Sequence, residues 1–211
     1  TRAISSKSIN KPVVIMDVGD NVGGGGTADS THLLAEAIKQ GLKGENSLLI
    51  SLFDPESVKY CIDSGIGSSV TLNVGAKTDL LHGDPVKVNG YVKVITDGKF
   101  EESKPIHGGW RYFNYGPSIA LETIDGHTIV LHTERGIGNM TRQQYYSMGI
   151  FPEKYKVVIC KGTVSPRAAY EPIAFEIIMA NSPGVTSAEM NSFVYVDRRK
   201  PLYPFEIGTK F

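Results

Sequence analysis

A short, uninterrupted apolar run, Val13-Val14-Ile15-Met16, leads through Asp17-Val18-Gly19-Asp20-Asn21-Val22 into four consecutive glycines, Gly23 to Gly26. A run of this length without polar alternation fits a strand covered on both faces, as strands are in a parallel sheet flanked by helices. The glycines can adopt conformations that other residues resist, and they let a bound group approach the backbone closely. Beyond them Leu33, Leu34, Ala37, Ile38 and Leu42 recur at helical spacing, with Glu36, Lys39 and Gln40 opposite and Gly41 and Gly44 at the exit. The pattern predicts strand, glycine loop and helix, with the loop at the carboxyl end of the strand, where ligands of α/β sheets bind.

Leu48-Leu49-Ile50-Ser51-Leu52-Phe53 reads as a second buried strand. Asp54-Pro55-Glu56 then opens a helix that ends near Gly65, with proline in the first turn, where its missing N–H is harmless. A third strand over 69–74 completes an alternation with short links, the grammar of a parallel α/β layer. From Val86 the pattern changes. Val86, Val88, Val92 and Val94 surround Gly90 in a further strand, and 119–124 and 128–133 flank Asp125-Gly126 as a hairpin. The stretch 97–117 holds Trp110, Tyr112, Phe113 and Tyr115 and is expected to be a structured loop, its aromatics anchoring a core or capturing a partner. A polar helix over 141–148, a strand over 157–160, a short helix from Pro166 and a strand over 175–179 follow. The predicted fold class is α/β: a mixed, largely parallel sheet with packed helices in the first half, then a strand-rich β-hairpin half.

With 211 residues the chain can bury a sizeable core. No apolar run approaches the roughly 20 residues that a membrane span needs. Lys and Arg number 22 and so do Asp and Glu, giving zero formal charge, and no basic stripe is interleaved with aromatics. The electrostatic term that dominates nucleic-acid affinity therefore has no obvious source. The two cysteines, Cys61 and Cys160, are expected to be buried free thiols of a reducing, cytoplasmic compartment.

Chemistry concentrates in Asp17 to Thr31, where Asp20, Asn21, Gly23, Gly24, Gly25 and Asp29 are candidate binding residues. Two other readings stand beside a binding loop. The glycines could form a plain turn, with Thr27 or Asp29 capping the next helix. Alternatively, Gly23 to Ala28 satisfies the G-x-G-x-x-G/A dinucleotide pattern, with Asp54 placed to hold a ribose. Against that nucleotide reading, Asp20 would bring negative charge toward a pyrophosphate that wants bare N–H groups. Lys77 follows the third strand and is predicted to share the rim of Asp20 and Asn21. Lys161 and Arg167 form a further cationic pair, suited to a substrate carboxylate or to pairing with acidic residues. The histidines are scattered, and His127 and His132, five apart, fall on opposite faces of one strand. No metal-ligand spacing and no nucleophile-base set is recognisable.

Taken in order, these segments resemble the C-terminal domain of the MlrC (microcystinase C) family: Asp20-Asn21-x-Gly23-Gly24-Gly25, Ala28-Asp29-Ser30-Thr31, Asp54-Pro55-Glu56, Gly65-x-Gly67 and Gly75-x-Lys77-x-Asp79. The series continues with Lys161, Arg167-Ala168-Ala169-Tyr170-x-Pro172-Ile173, Pro183-Gly184 and Lys200-Pro201-Leu202-Tyr203-Pro204. The resemblance implies a parent protein whose N-terminal domain supplies Asp and His ligands to zinc and hydrolyses amide bonds in small or cyclic peptides. The metal would activate water and polarise the carbonyl. Residues 1–11 are then expected to be a linker from that domain and 12–211 the C-terminal domain, with no zinc held by this chain alone. Asp20 and Asn21 would face the cleft between the domains, and Lys77, Lys161 and Arg167 would contact substrate carboxylate or carbonyl groups. Where some relatives carry His-Phe before the Arg-Ala pair, this chain has Ser165-Pro166, so no histidine role transfers there.

Overall fold

The computed structural model describes residues 11–136 and 139–208; most of the expected linker, residues 1–10, lies outside them. Ten strands and four α-helices are present among the described residues. The strands are β1 (Val13–Asp17), β2 (Leu48–Phe53), β3 (Ser69–Val74), β4 (Val86–Thr96), β5 (Lys99–Glu101), β6 (Tyr112–Asn114), β7 (Ser118–Thr123), β8 (His127–His132), β9 (Val157–Cys160) and β10 (Glu176–Ala180). The helices are α1 (His32–Lys39), α2 (Pro55–Ser64), α3 (Gln143–Tyr146) and α4 (Arg167–Tyr170).

Eight strands form one sheet in the order β10-β1-β9-β2-β8-β7-β4-β3. The first five are parallel, and the last three continue the sheet in antiparallel fashion. The sheet is thus α/β, mixed and largely parallel, with hairpins in the later part. The strand order lay beyond the sequence reading, and the place of the third strand departs from it. β1 and β2 are not neighbours, because β9, with all four residues buried, inserts between them. The third strand is not a member of the parallel block: β3 lies at the edge, antiparallel to β4, and its alternating burial suits a strand with one dry face.

β4 divides its partners near Gly90. Residues 86–91 pair with β3, and 90–96 pair with β7. A Cβ at Gly90 would lie 2.4 Å from the Glu122 carbonyl oxygen, so only glycine permits this approach. The loop after β3 returns to the end of β2, where the Gly75 N–H donates to Asp54 Oδ2 at 3.0 Å.

Both faces of the parallel block are dry. One cluster joins Val13, Leu48, Ile50, Leu52, Ile129 and Ile159 to Leu34 of α1 and Val58 and Cys61 of α2. The other joins Val14, Met16, Leu49, Val130, Val158 and Cys160 to Tyr145 of α3 and Ala169 and Tyr170 of α4. Successive strand residues thus feed opposite clusters, as the period of two requires. α2 is built as predicted, with Asp54 Oδ1 accepting the Ser57 N–H at 3.0 Å, Pro55 at the start and Gly65 at the stop.

The polar helix expected over 141–148 shrinks to the single turn α3. The stretch expected to be a loop over 97–117 contains a separate two-stranded sheet, β5 with β6. Its aromatics divide: Phe113 and Tyr115 are buried against Phe100, while Trp110 and Tyr112 are 51% and 72% exposed. Both cysteines are free and buried, and burial pushes the Cys61 thiol up to about 11, with Asp54 adding to the effect.

Candidate functional site

The parallel strands β1, β2, β8 and β9 end on one edge of the sheet, and their last residues or immediate followers are Asp17, Asp54, His132 and Lys161. This places polar side chains where four apolar strands run out, and Lys161 is the centre. Its ammonium, 2% exposed, lies 2.9 Å from Asp17 Oδ2, 3.2 Å from Asp20 Oδ2 and 2.5 Å from the Ser30 carbonyl oxygen. The Ser182 hydroxyl donates to the remaining oxygen of Asp17. Burial disfavours the charged form of Lys161, but Asp17 and Asp20 outweigh it and raise the ammonium above its ordinary value.

Asp20 also clamps the glycine loop. Its Oδ1 accepts the Ala28 N–H at 2.7 Å and its Oδ2 the Ser30 N–H at 2.8 Å. Burial alone would push this carboxyl up; Lys161, the two N–H donors and His82 together hold it below its ordinary value. Gly26 closes the same loop so tightly that a Cβ there would stand 2.8 Å from the Asp20 backbone carbon and from Oδ1. Between these anchors, Val22 to Gly24 form a 3-10 turn, and Gly23, Gly24 and Gly25 are exposed at its tip. Asn21 ties the tip to neighbouring loops: its N–H donates to Thr186 Oγ1 at 2.8 Å and its Nδ2 to Thr163 Oγ1 at 3.3 Å.

Asp29 and Lys77 meet through the backbone. Asp29 Oδ2 accepts the N–H groups of Lys77 and Thr78 at 3.0 and 2.9 Å, and the Asp29 carbonyl accepts from Ala76 at 2.7 Å. Asp29 therefore secures the loop after β3 rather than capping α1, whose first turn begins three residues later without a side-chain cap. The Lys77 ammonium turns to Asp54 Oδ1 at 2.9 Å, Ser57 Oγ at 3.0 Å and Glu56 Oε2 at 3.3 Å. Arg167 stands apart from these contacts, exposed on α4 and 3.5 Å from Glu171. The structure thus links Asp20 with Lys161 directly and Asp29 with Lys77, and holds Asn21 and the glycines on the same loop. It shows no contact between Arg167 and the other candidates.

A shallow depression lies beside the tip, lined by Val22, Ala28, Ser51, Phe53, His132 and Arg135 with Asn139 and Lys161 below. Its floor is a polar network in which Asn139 Oδ1 accepts the Lys161 N–H at 2.6 Å and Asn139 Nδ2 donates to Ser51 Oγ at 2.9 Å. The Arg135 guanidinium lies over the Phe53 ring, 4.8 Å from its centroid. His132 is 6% exposed, and burial pushes its ring down to about 3.

Sequence reasoning passed over Asp17 and Ser182 and set His132 aside for want of ligand spacing. Asp17 carried a signal in its place at the end of β1, whereas nothing local marks Ser182, which arrives from beyond β10. Among the described residues no three His, Cys, Asp or Glu side chains gather as a metal site requires. The two carboxylates nearest the loop are neutralised by Lys161 instead, so they do not fit a resident metal ion. The dinucleotide pattern also lacks its helix, since Gly26 precedes the first turn of α1 by six residues.

Microcystinase C of Sphingomonas sp is 23% identical over 205 residues, covering 92% of this chain and 36% of the relative. A crystal structure provisionally assigned as a metallopeptidase of Mesorhizobium sp. BNC1 superposes with a TM-score of 0.82 at 22% identity, covering 99% of this chain and 40% of that one. At that identity the likeness shows the fold, and the chain spans two fifths or less of either protein. The pattern of the family described as MlrC C-terminus matches residues 15–196. The chain belongs to the MlrC C-terminus family.

Proposed function

We propose that this chain forms one wall of the substrate cleft in a zinc-dependent amide or peptide hydrolase whose metal ligands lie in an N-terminal domain of the same polypeptide. The observation that carries the reading is the edge where β1, β2, β8 and β9 end: an exposed glycine tip is fixed there by the buried Asp17–Lys161–Asp20 group. Family membership, the name of the Sphingomonas relative and the assignment of the Mesorhizobium structure support a hydrolase of this class.

The roles divide by exposure. Gly23, Gly24 and Gly25 let a substrate backbone approach, and Asn21 offers the adjoining carboxamide. Asp20, Asp29 and Lys161 hold that tip in shape, because their polar atoms are already engaged with one another or with loop N–H groups. Lys77 and Arg167 are half-exposed or exposed cations that a substrate carboxylate could recruit in exchange for Glu56 or Glu171. Hydrolytic chemistry is assigned to the N-terminal domain, and no bond-breaking step is assigned to side chains of this chain.

The test compares the full-length polypeptide with the 211-residue chain on a panel of linear and cyclic peptides, with and without added zinc. The full-length protein should hydrolyse some of them in a chelator-sensitive manner and the chain alone should hydrolyse none. Robust cleavage by the chain alone, or none by the zinc-loaded full-length protein, overturns the reading.

A further inference from the structure

His132 and His127 close the two ends of β8 with the same hydrogen-bond arrangement. His132 Nδ1 lies 2.8 Å from Ser118 Oγ, which also lies 2.8 Å from the Gly116 carbonyl oxygen. A hydroxyl has one proton, and a carbonyl can only accept it. With that proton given to Gly116, Ser118 Oγ must accept from Nδ1–H, so neutral His132 carries its proton on Nδ1 and a bare lone pair on Nε2. His127 repeats this with Ser47 Oγ at 2.8 Å and the Gly126 carbonyl at 3.1 Å. Among the described residues, Nε2 of both rings is buried without a partner.

An unsatisfied buried acceptor costs about as much as the hydrogen bond it lacks, so such atoms call for a specific reason. The two differ in where they sit. His127 starts β8, at the end of the sheet away from the glycine loop, whereas His132 ends it and lines the depression with Val22, Arg135 and Lys161. That depression has a free volume of about 10 Å³, room for about one water-sized group such as the tip of an N–H or O–H donor. Arg135 and Glu134 line it with opposite charges and Lys161 is already paired with Asp17 and Asp20, so the lining has no net charge to draw an ion. Only Glu134 accompanies His132 there as a possible metal ligand, too few for a metal ion.

We infer that His132 is a positioning residue of the cleft, whose Nε2 accepts one hydrogen bond from a neutral N–H or O–H donor seated beside the glycine tip, such as the amide N–H of a peptide substrate. The inference rests on the hydrolase reading for the identity of that substrate; the site itself rests on the lone pair and its surroundings. The same donor chemistry could come instead from the N-terminal domain, and the experiment separates the two sources.

In the full-length polypeptide, His132→Phe keeps the ring and removes the acceptor, while His132→Gln restores a polar group at the position of Nε2. His127→Phe makes the same change in the same strand at the opposite end. If the donor is the substrate, His132→Phe raises KM roughly three- to tenfold, the size of one neutral hydrogen bond, with kcat nearly unchanged. His132→Gln recovers part of it, and His127→Phe leaves KM alone. If the donor belongs to the N-terminal domain, His132→Phe instead weakens association of the separately made halves by a similar factor while KM per assembled complex holds.

An independent arm uses nitrogen-15 NMR of the histidine rings, which should report the Nδ1–H form of His132 and an Nε2 resonance that moves on adding a non-hydrolysed peptide or the N-terminal domain. An Nε2–H form, an Nε2 resonance indifferent to both additions, or a His132→Phe protein matching wild type in KM and association overturns the inference. Should the wild type hydrolyse no peptide, the hydrolase reading fails, and the NMR arm with the N-terminal domain still judges His132.

Discussion

Lys161 shows how one buried charge can organise a loop. An ammonium moved out of water loses several kcal/mol of hydration, which is recovered only when carboxylates and a carbonyl surround it closely, as Asp17, Asp20 and Ser30 do here. Removing the cation leaves two buried carboxylates facing each other. Lys161→Met should therefore destabilise the fold by about 3–5 kcal/mol, read as a lower midpoint in urea denaturation with the slope unchanged. The same group predicts acid behaviour. Asp20 is held below its ordinary value of 3.8, so its contribution is complete above that pH and is lost as pH falls through its lower folded value. Asp20→Asn should flatten the loss of stability below about pH 4, measured by denaturation midpoints from pH 2 to 6. Gly26→Ala should cost about 1–3 kcal/mol by overpacking against Asp20, in the same assay. In the sequence, Asp20 and Lys161 each stood out by position after a strand. Their mutual contact was not legible, because it depends on β9 lying beside β1, a pairing across more than 140 residues.

Strand and helix identities were readable where local signals agree, as in β2 with Asp54, Pro55 and Gly65 around α2, or in the β7–β8 hairpin around Asp125-Gly126. Strand order was not, since nothing within Val157 to Cys160 specifies insertion between β1 and β2 beyond its complete burial. β3 carried a usable hint in its alternation, which distinguishes an edge strand from the continuous runs of β1 and β2. Gly90 is the element on which the sheet turns from one partner to the other. Gly90→Ala should force β4 away from Glu122 and lower the unfolding midpoint by the equivalent of about 1–3 kcal/mol. The loss should be accompanied by faster amide exchange in β3 than in β1, because β3 is held in the sheet by β4 alone.

In the molecule as a unit, the candidate site lies along one edge of the sheet. There the tip 23–25 is exposed above a buried ion group, and the depression containing His132 and Arg135 adjoins it. Among the described residues, the opposite end of the parallel strands carries no comparable loop: Ser47, Asn46 and the Asp125-Gly126 turn bond chiefly to one another and to Lys156 and Val157. On the proposed function, the N-terminal domain meets this chain at the glycine edge. Hydrogen–deuterium exchange on the isolated chain and on the full-length polypeptide tests that directly. Protection gained in the full-length protein should concentrate at residues 21–25 and 134–135. Protection confined to the opposite edge, around 44–47 and 125–126, with the glycine tip exchanging equally in both proteins, would contradict it.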